Sequence, residues 1–319
     1  MPVEKDKRTR KGGAPSDTQV SSPAPSPEAV EPALPSGPQV SAILVAFNQA
    51  SALHRAVQAL EGSKGRDKLE ILVVDCGSSD GSASVDTDFP AVNILRLPHH
   101  LGSARAMNIA IRTAKADLLF FVSPDVEVKP DTISLLAARL DGDAEAVAAC
   151  PLLTDAEEKP LSRVYRIPSR EELAVVCKGG ALPAIPIDPS QDVVTVEYPA
   201  MDALMVRKAF VRGMNFFDER RFGHYWADAD LAAQVKRAGK KIRLYPAIRA
   251  VYHAAPDPLQ GESIAQVDRI AGAAALLSKY GGGGFTFRLG AAFAALGRFD
   301  FGGFTKILGG DKLDGSQAG

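Results

Sequence analysis

The sequence predicts an α/β protein with a mostly parallel sheet flanked by helices. Three observations carry that expectation. Short apolar runs alternate with helical patterns from Val40 onward, and the runs are apolar throughout rather than at every second residue. Polar residues gather just after the runs. Strands apolar on both sides belong in a sheet covered by helices on both faces, the usual setting of parallel strands.

The elements follow in order. VSAILVAF (40–47) reads as a buried strand. Residues 50–60 read as a helix with Leu53, Ala56, Val57 and Leu60 on one face. LEILVVD (69–75) and VNILRL (92–97) are the next strands; 103–114 is a helix and ADLLFFVS (116–123) a fourth strand. Pro130 opens a helix through Leu140, because its fixed φ suits a first turn. AVAACPLL (146–153) is another strand, and 154–198 is irregular enough to predict a variable loop or flap. DALMVRKAF (202–210) reads as a strand leading into a helix, and KKIRLYP (240–246) as a strand. In FGHYWADADLAAQVKRAG (222–239), Leu231, Val235 and Ala238 form a helical stripe that Gly239 ends. Two Ala-rich amphipathic helices, 262–280 and 285–297, flank GGGG (281–284).

Composition narrows the class. The chain has 319 residues, a formal net charge of −1 and 46% hydrophobic residues, enough for one large domain or two small ones. So balanced a charge gives no reason to expect nucleic-acid binding. Cys76, Cys150 and Cys177 are far apart with no CxxC, which predicts reduced thiols, a cytoplasmic setting and no zinc site. No signal-peptide pattern and no run of about 18 apolar residues is found. Residues 1–38, rich in Pro, Ser, Lys and Glu, are expected to be a disordered tail.

Open sheets of this kind take ligands beyond the carboxyl ends of their strands. Phe47-Asn48, then Asp75 to Ser82, then Ser123-Pro124-Asp125-Val126-Glu127 stand at such ends. No GxGxxG or GxxxxGK[ST] occurs, which argues against a dinucleotide or P-loop site. Asp228 and Asp230 follow Trp226, the only tryptophan, at the start of a helical pattern. Residues two apart on a helix do not face each other, so the two acids are expected to differ in role. Asp228 reads as an N-cap or as an acid facing the crevice; Asp230 reads as serving the helix end.

In this order, VSAILVAFNQASALHRAVQAL, LEILVVDCGSSDGS and LGSARAMNIAIRTAKADLLFFVSPDVEV resemble the donor half of the family 2 glycosyltransferases. FFDERRFGHYWADADLAAQVKRAGKKIRLYPAIRAVYH resembles their acceptor half, and the rhamnosyltransferase-like subgroup is the most similar. The resemblance implies a GT-A fold over 39–260, with donor half 39–153, acceptor half 154–260 and a helical extension over 261–319. It implies a UDP-, dTDP- or GDP-linked sugar donor, a polysaccharide or lipid-linked saccharide acceptor, inverting transfer and a divalent cation, Mg²⁺ or Mn²⁺.

Residue by residue, the resemblance makes Asp228 the general base. It assigns the donor to Phe47, Asp75, Cys76, Arg105, Asn108 and Asp125. Asp125, as the last acid of a DxD motif, contacts metal or diphosphate, and His253 is a metal ligand or a structural histidine. Asp202, Trp226 and Asp230 fall on the acceptor side, and Asp218 and Glu219 match a turn that shapes the loop carrying the base. His99 and His100 are expected in a surface loop. Ser123, Cys76, Ala227 and Gln234 depart from the family pattern, which motivates a second reading as a catalytically weak GT-A domain that binds nucleotide sugar or serves assembly. A third, a sugar nucleotidyltransferase, lacks a Gly-rich basic phosphate loop. The stripe Phe285, Leu289, Phe293 and Leu296, with Arg288 and Arg298, predicts packing on its own domain or on a second subunit, or peripheral contact with the inner face of the cytoplasmic membrane.

Overall fold

The computed structural model describes residues 37–254, 259, 263–296 and 300–311. The expected disordered tail lies, through residue 36, outside the described residues, as do Arg298 and the side chain of Leu296.

The first half contains β1 (Val40–Ala46), α1 (Ala50–Glu61), β2 (Leu69–Asp75), α2 (Val85–Asp88), β3 (Asn93–Arg96), α3 (Ser103–Thr113), β4 (Leu118–Val122), β5 (Val126–Val128), α4 (Thr132–Asp141) and β6 (Ala146–Thr154). The second contains β7 (Pro160–Leu161), β8 (Val164–Tyr165), α5 (Arg170–Cys177), β9 (Val194–Val196), β10 (Tyr198–Pro199), β11 (Ala203–Arg207), α6 (Lys208–Gly213), α7 (Ala227–Arg237) and β12 (Lys241–Tyr252). Helices α8 (Ser263–Tyr280), α9 (Gly284–Leu296) and α10 (Phe301–Gly309) follow.

The main sheet runs β3-β2-β1-β4-β11-β6-β12-β5, with β7 on β6 and β9 on β12. β3, β2, β1 and β4 are mutually parallel, as the uniformly apolar runs predict. Their side chains alternate between two cores. Ile43, Leu72, Val74, Leu119 and Phe121 pack with α3 and α7. Ala42, Leu44, Ile71, Val73 and Phe120 pack with α1 and α4. Each such Leu, Ile or Phe contributes about 1.5–3 kcal/mol when fully buried.

The sheet then becomes mixed. β11 starts opposite the last residue of β4, Ala203 against Val122, and therefore runs antiparallel to it. That reversal sets Asp202 beside the polar segment after β4, where the Asp202 carbonyl accepts from the Ser123 N–H at 2.8 Å.

Two elements differ from the sequence expectation. The irregular 154–198 stretch holds α5, opened by a capping box. Ser169 Oγ accepts from the Glu172 N–H at 3.2 Å, and Glu172 accepts from the Ser169 N–H at 2.8 Å. Strand β12 does not stop at Pro246; its register against β6 shifts between Tyr245 and Arg249, and it continues to Tyr252. A bulge absorbs a proline that has no N–H for the ladder. The continuation pairs with β5 and brings the His253 N–H to the Asp125 carbonyl at 2.8 Å.

The C-terminal helices form where the Ala-rich patterns place them. α9 turns Phe287, Ala292 and Ala295 inward and leaves Phe285 and Phe293 exposed, at 67% and 57%. No described helix is long and apolar enough to cross a membrane.

Candidate active site

A cleft of about 710 Å³ opens at the carboxyl ends of β1 and β4. Phe47, Asp125, Asp202, Trp226 and Asp228 all line it, so five of the residues singled out from sequence meet in one place. They come from β1, β4, the approach to β11 and the start of α7.

Asp228 is the second residue of α7, and no side chain caps that helix. Its half-buried carboxylate faces the cleft. Tyr198 Oη donates to Oδ2 at 2.8 Å, and the Ala229 N–H donates to Oδ1 at 2.8 Å. Burial pushes the Asp228 pKa up, and the Tyr198 hydrogen bond opposes that rise. A carboxylate carries about four lone-pair sites, so room remains for a proton from a substrate.

The turn that aims Asp228 is held from outside. Trp226 has φ of 73°, in the left-handed region that a bulky residue rarely adopts. Its indole Nε1 donates to the Arg269 carbonyl at 2.9 Å. The buried Asp268 Oδ2 accepts from the His224 and Tyr225 N–H groups at 2.8 and 3.1 Å. Gly272 admits this approach, since a Cβ there would lie 2.9 Å from the Trp226 ring. Helix α8 is therefore part of the site's frame.

Asp230 leaves the cleft. It is 1% exposed, Lys279 Nζ lies 2.8 Å from Oδ1, and Tyr280 Oη donates to Oδ1 at 2.6 Å. The two acids do differ in role, but Asp230 ties α7 to α8. It neither caps the helix nor lines the acceptor side of the cleft.

Asp125 is half-buried, and its Oδ1 is buried without a hydrogen-bond partner. Burial raises its pKa most, Asp202 adds to the rise, and Arg55 and Arg163 oppose it. An unpaired carboxylate oxygen in a cleft suits a hard cation, which takes few protein ligands alongside water and substrate phosphates. Among the described residues no group of three or more His, Cys, Asp or Glu could hold a metal. Asp125 therefore fits as a single protein ligand. His253 pairs instead with Glu127, Nε2 to Oε2 at 2.9 Å, and its ring is not part of the cleft wall.

Asp202 accepts from Arg163 Nε, and the Arg163 guanidinium lies 4.3 Å from the Tyr252 ring centroid. The Asp202 carboxylate is thus matched by a cation in the same wall.

The other donor-side candidates stand outside the cleft lining. Asp75 is 2% exposed at the end of β2, with Oδ2 accepting from the Ser78 N–H at 3.2 Å and Oδ1 unpartnered. Cys76 is a core thiol whose pKa burial pushes up to about 12. Arg105 is exposed on α3. Asn108 is a clamp across the fold: it donates to the Phe217 carbonyl at 2.9 Å and accepts from the Phe217 N–H at 3.0 Å.

The cleft also holds residues not singled out from sequence. Phe47 meets His100 edge-on at 5.1 Å, His100 meets His224 at 5.5 Å, and His224 meets Tyr225 at 4.7 Å. His100 is therefore a wall residue, contrary to the surface-loop expectation, because the segment after β3 folds back over Phe47. Tyr165, Tyr198 and Arg163 come from the stretch read as irregular. The Ser-x-x-Glu box at Ser169 was the sequence signal for order there; nothing local marks the tyrosines.

Residues 41–187 match the glycosyl transferase family 2 model. The chain is 28% identical over 224 residues to a pre-mycofactocin glycosyltransferase of Mycobacterium tuberculosis, covering 67% of this chain and 43% of that one. It is 30% identical over 162 residues to an N-acetylglucosaminyltransferase of Mesorhizobium japonicum, covering 46% and 38%. It thus spans less than half the length of these curated relatives. Among solved structures, GalNAc-T7 with UDP, GalNAc and Mn²⁺ superposes with a TM-score of 0.61 at 13% identity, over 88% of this chain and 56% of that one. The mannosyltransferase PcManGT of Pyrobaculum calidifontis, with GDP-Man and Mn²⁺, superposes with a TM-score of 0.54 at 18% identity, over 86% and 74%. With a parallel sheet, a crevice at its strand ends and the matched segment running through both, this chain resembles glycosyltransferase family 2 over residues 41–187 and has the GT-A fold.

Proposed function

We propose that the chain is an inverting glycosyltransferase. It moves a sugar from a nucleoside-diphosphate donor to a hydroxyl of a polysaccharide or lipid-linked saccharide, with Asp228 as general base. One observation carries this reading: the Asp228 carboxylate, made more basic by burial, opens on the same cleft as the half-unpaired Asp125. The UDP and GDP-Man in the two superposed structures support a nucleotide-sugar donor, and their Mn²⁺ supports a divalent cation.

The acceptor oxygen attacks the anomeric carbon from the Asp228 side while its proton passes to an Asp228 oxygen. The bond from the anomeric carbon to the diphosphate oxygen breaks, and the electron pair leaves with the nucleoside diphosphate. Tyr198 holds the carboxylate in place and keeps its ionised form accessible. Phe47, at the end of β1, offers a ring face for the donor base. Asp125 is the residue that would hold a Mg²⁺ or Mn²⁺ ion, whose chemistry is to offset charge growing on the leaving diphosphate.

The test is sugar transfer from UDP-, dTDP- and GDP-linked donors by wild type and Asp228→Asn, with a broad acceptor panel. The variant is expected to lose about 10²- to 10⁴-fold in kcat while still binding donor. Full activity in the variant refutes the base assignment. A wild type that binds donor yet never transfers favours the reading as a nucleotide-sugar-binding subunit.

A further inference from the structure

The charges around the cleft are unequal. Its described lining carries three carboxylates, Asp125, Asp202 and Asp228, and two arginines, Arg163 and Arg269. Arg163 is committed to Asp202. Arg269 has no carboxylate partner among the described residues; its guanidinium lies 4.4 Å from the Tyr225 ring centroid, on the cleft wall. A nucleoside diphosphate would bring at least two more negative charges into this space, and Arg269 is the cleft arginine left to meet them.

The backbone around Arg269 is fixed tightly enough for that task. Its own carbonyl accepts from Trp226, and its neighbour Asp268 holds the His224 and Tyr225 N–H groups. Gly272, one turn further on, lies against Trp226. Lys279 and Tyr280 anchor the far end of α8 to Asp230. The guanidinium is therefore carried by a helix bolted to the same turn that aims Asp228. Stacking on Tyr225 restrains the side chain while leaving its N–H donors for an anion, and a guanidinium can grip a phosphate with two donors at once.

We propose that Arg269, in a helix outside the family-matched segment, binds the diphosphate of the donor and holds its charge as the nucleoside diphosphate leaves. This rests on the donor reading above. It places a substrate-contacting residue in the C-terminal helical region, so the catalytic unit extends past residue 260 and α8 belongs to it.

The test is calorimetric titration of the full chain with UDP, dTDP and GDP in Mn²⁺, and with the three corresponding nucleosides. Wild type, Arg269→Met and Arg269→Lys are compared. Loss of a charge-assisted contact predicts roughly 10- to 100-fold weaker diphosphate binding by Arg269→Met, with nucleoside binding unchanged and Arg269→Lys in between. Methionine keeps an apolar stem over Tyr225, and retained nucleoside binding reports an intact cleft. Diphosphate binding equal to wild type in Arg269→Met overturns the assignment. So does an equal loss for nucleoside and diphosphate, which marks a purely structural arginine. If wild type binds no nucleoside diphosphate, the donor reading falls and this one with it; if wild type binds and Arg269→Met binds as well, only this one falls.

Discussion

Replacing Lys279 by methionine tests how α8 holds the base-carrying helix. Lys279 Nζ lies 2.8 and 3.0 Å from the two Asp230 oxygens, and 3.8 Å from Asp218. Asp230 is 1% exposed, and the Lys279 side chain is 17% exposed. At 2.8 Å and an effective dielectric of about 20, the gross attraction is about 6 kcal/mol. Desolvation of two ions, at several kcal/mol each, offsets most of it. The pair is thus worth little net, whereas Asp230 without its cation is costly. Lys279→Met is expected to destabilise by about 3–5 kcal/mol, the usual cost of breaking a buried pair from one side. At roughly 2 °C per kcal/mol for a chain of this size, Tm falls by roughly 6–10 °C. Asp230→Asn with Lys279→Met removes both charges and is expected to recover most of the loss. Urea unfolding at neutral pH, read as a shift in midpoint at constant slope, gives the values. A loss below about 1 kcal/mol in Lys279→Met, or a double variant no better than the single one, refutes the reasoning.

Three further outcomes follow from groups around the cleft. Tyr198→Phe removes a hydrogen bond that favours the ionised Asp228, so the Asp228 pKa climbs further and the acid limb of the kcat/KM profile moves to higher pH; an unmoved limb counts against Asp228 as the base. Because folding raises the Asp228 pKa, the native state holds that proton more tightly, and stability is lost as pH rises from the ordinary aspartate range through the raised value. Asp228→Asn escapes this loss, so its Tm advantage over wild type should widen across that window and then level off. Cys76, Cys150 and Cys177 are buried thiols whose pKa values burial pushes up to about 12, so native protein should leave a thiol-exchange reagent unreacted and release three equivalents once unfolded in urea.

Much of the fold is legible in the amino-acid sequence. Leu53, Ala56, Val57 and Leu60 face inward on α1 as their spacing predicts, and β1, β2 and β4 are buried on both faces as their composition predicts. Phe47, Asp125 and Asp228 reach one cleft because a strand's end, or the turn entering a helix, is a place that sequence pattern locates. Periodicity and turn chemistry act over a few residues, so they survive in the linear sequence.

Other assignments depended on distant partners. Asn108 was a plausible donor ligand until the fold set it on Phe217, 109 residues away. Asp230 reads as an acceptor-side residue in the sequence, whereas Lys279, 49 residues on, draws it out of the cleft. His253 sits by Asp125 through its backbone while its ring turns to Glu127. Local pattern along the chain settles which elements form and which strand ends carry polar groups. Which of those groups face one another follows from the packed fold, because a buried charge goes wherever the fold supplies its partner, and that partner is set by sheet order and helix packing rather than by spacing along the chain.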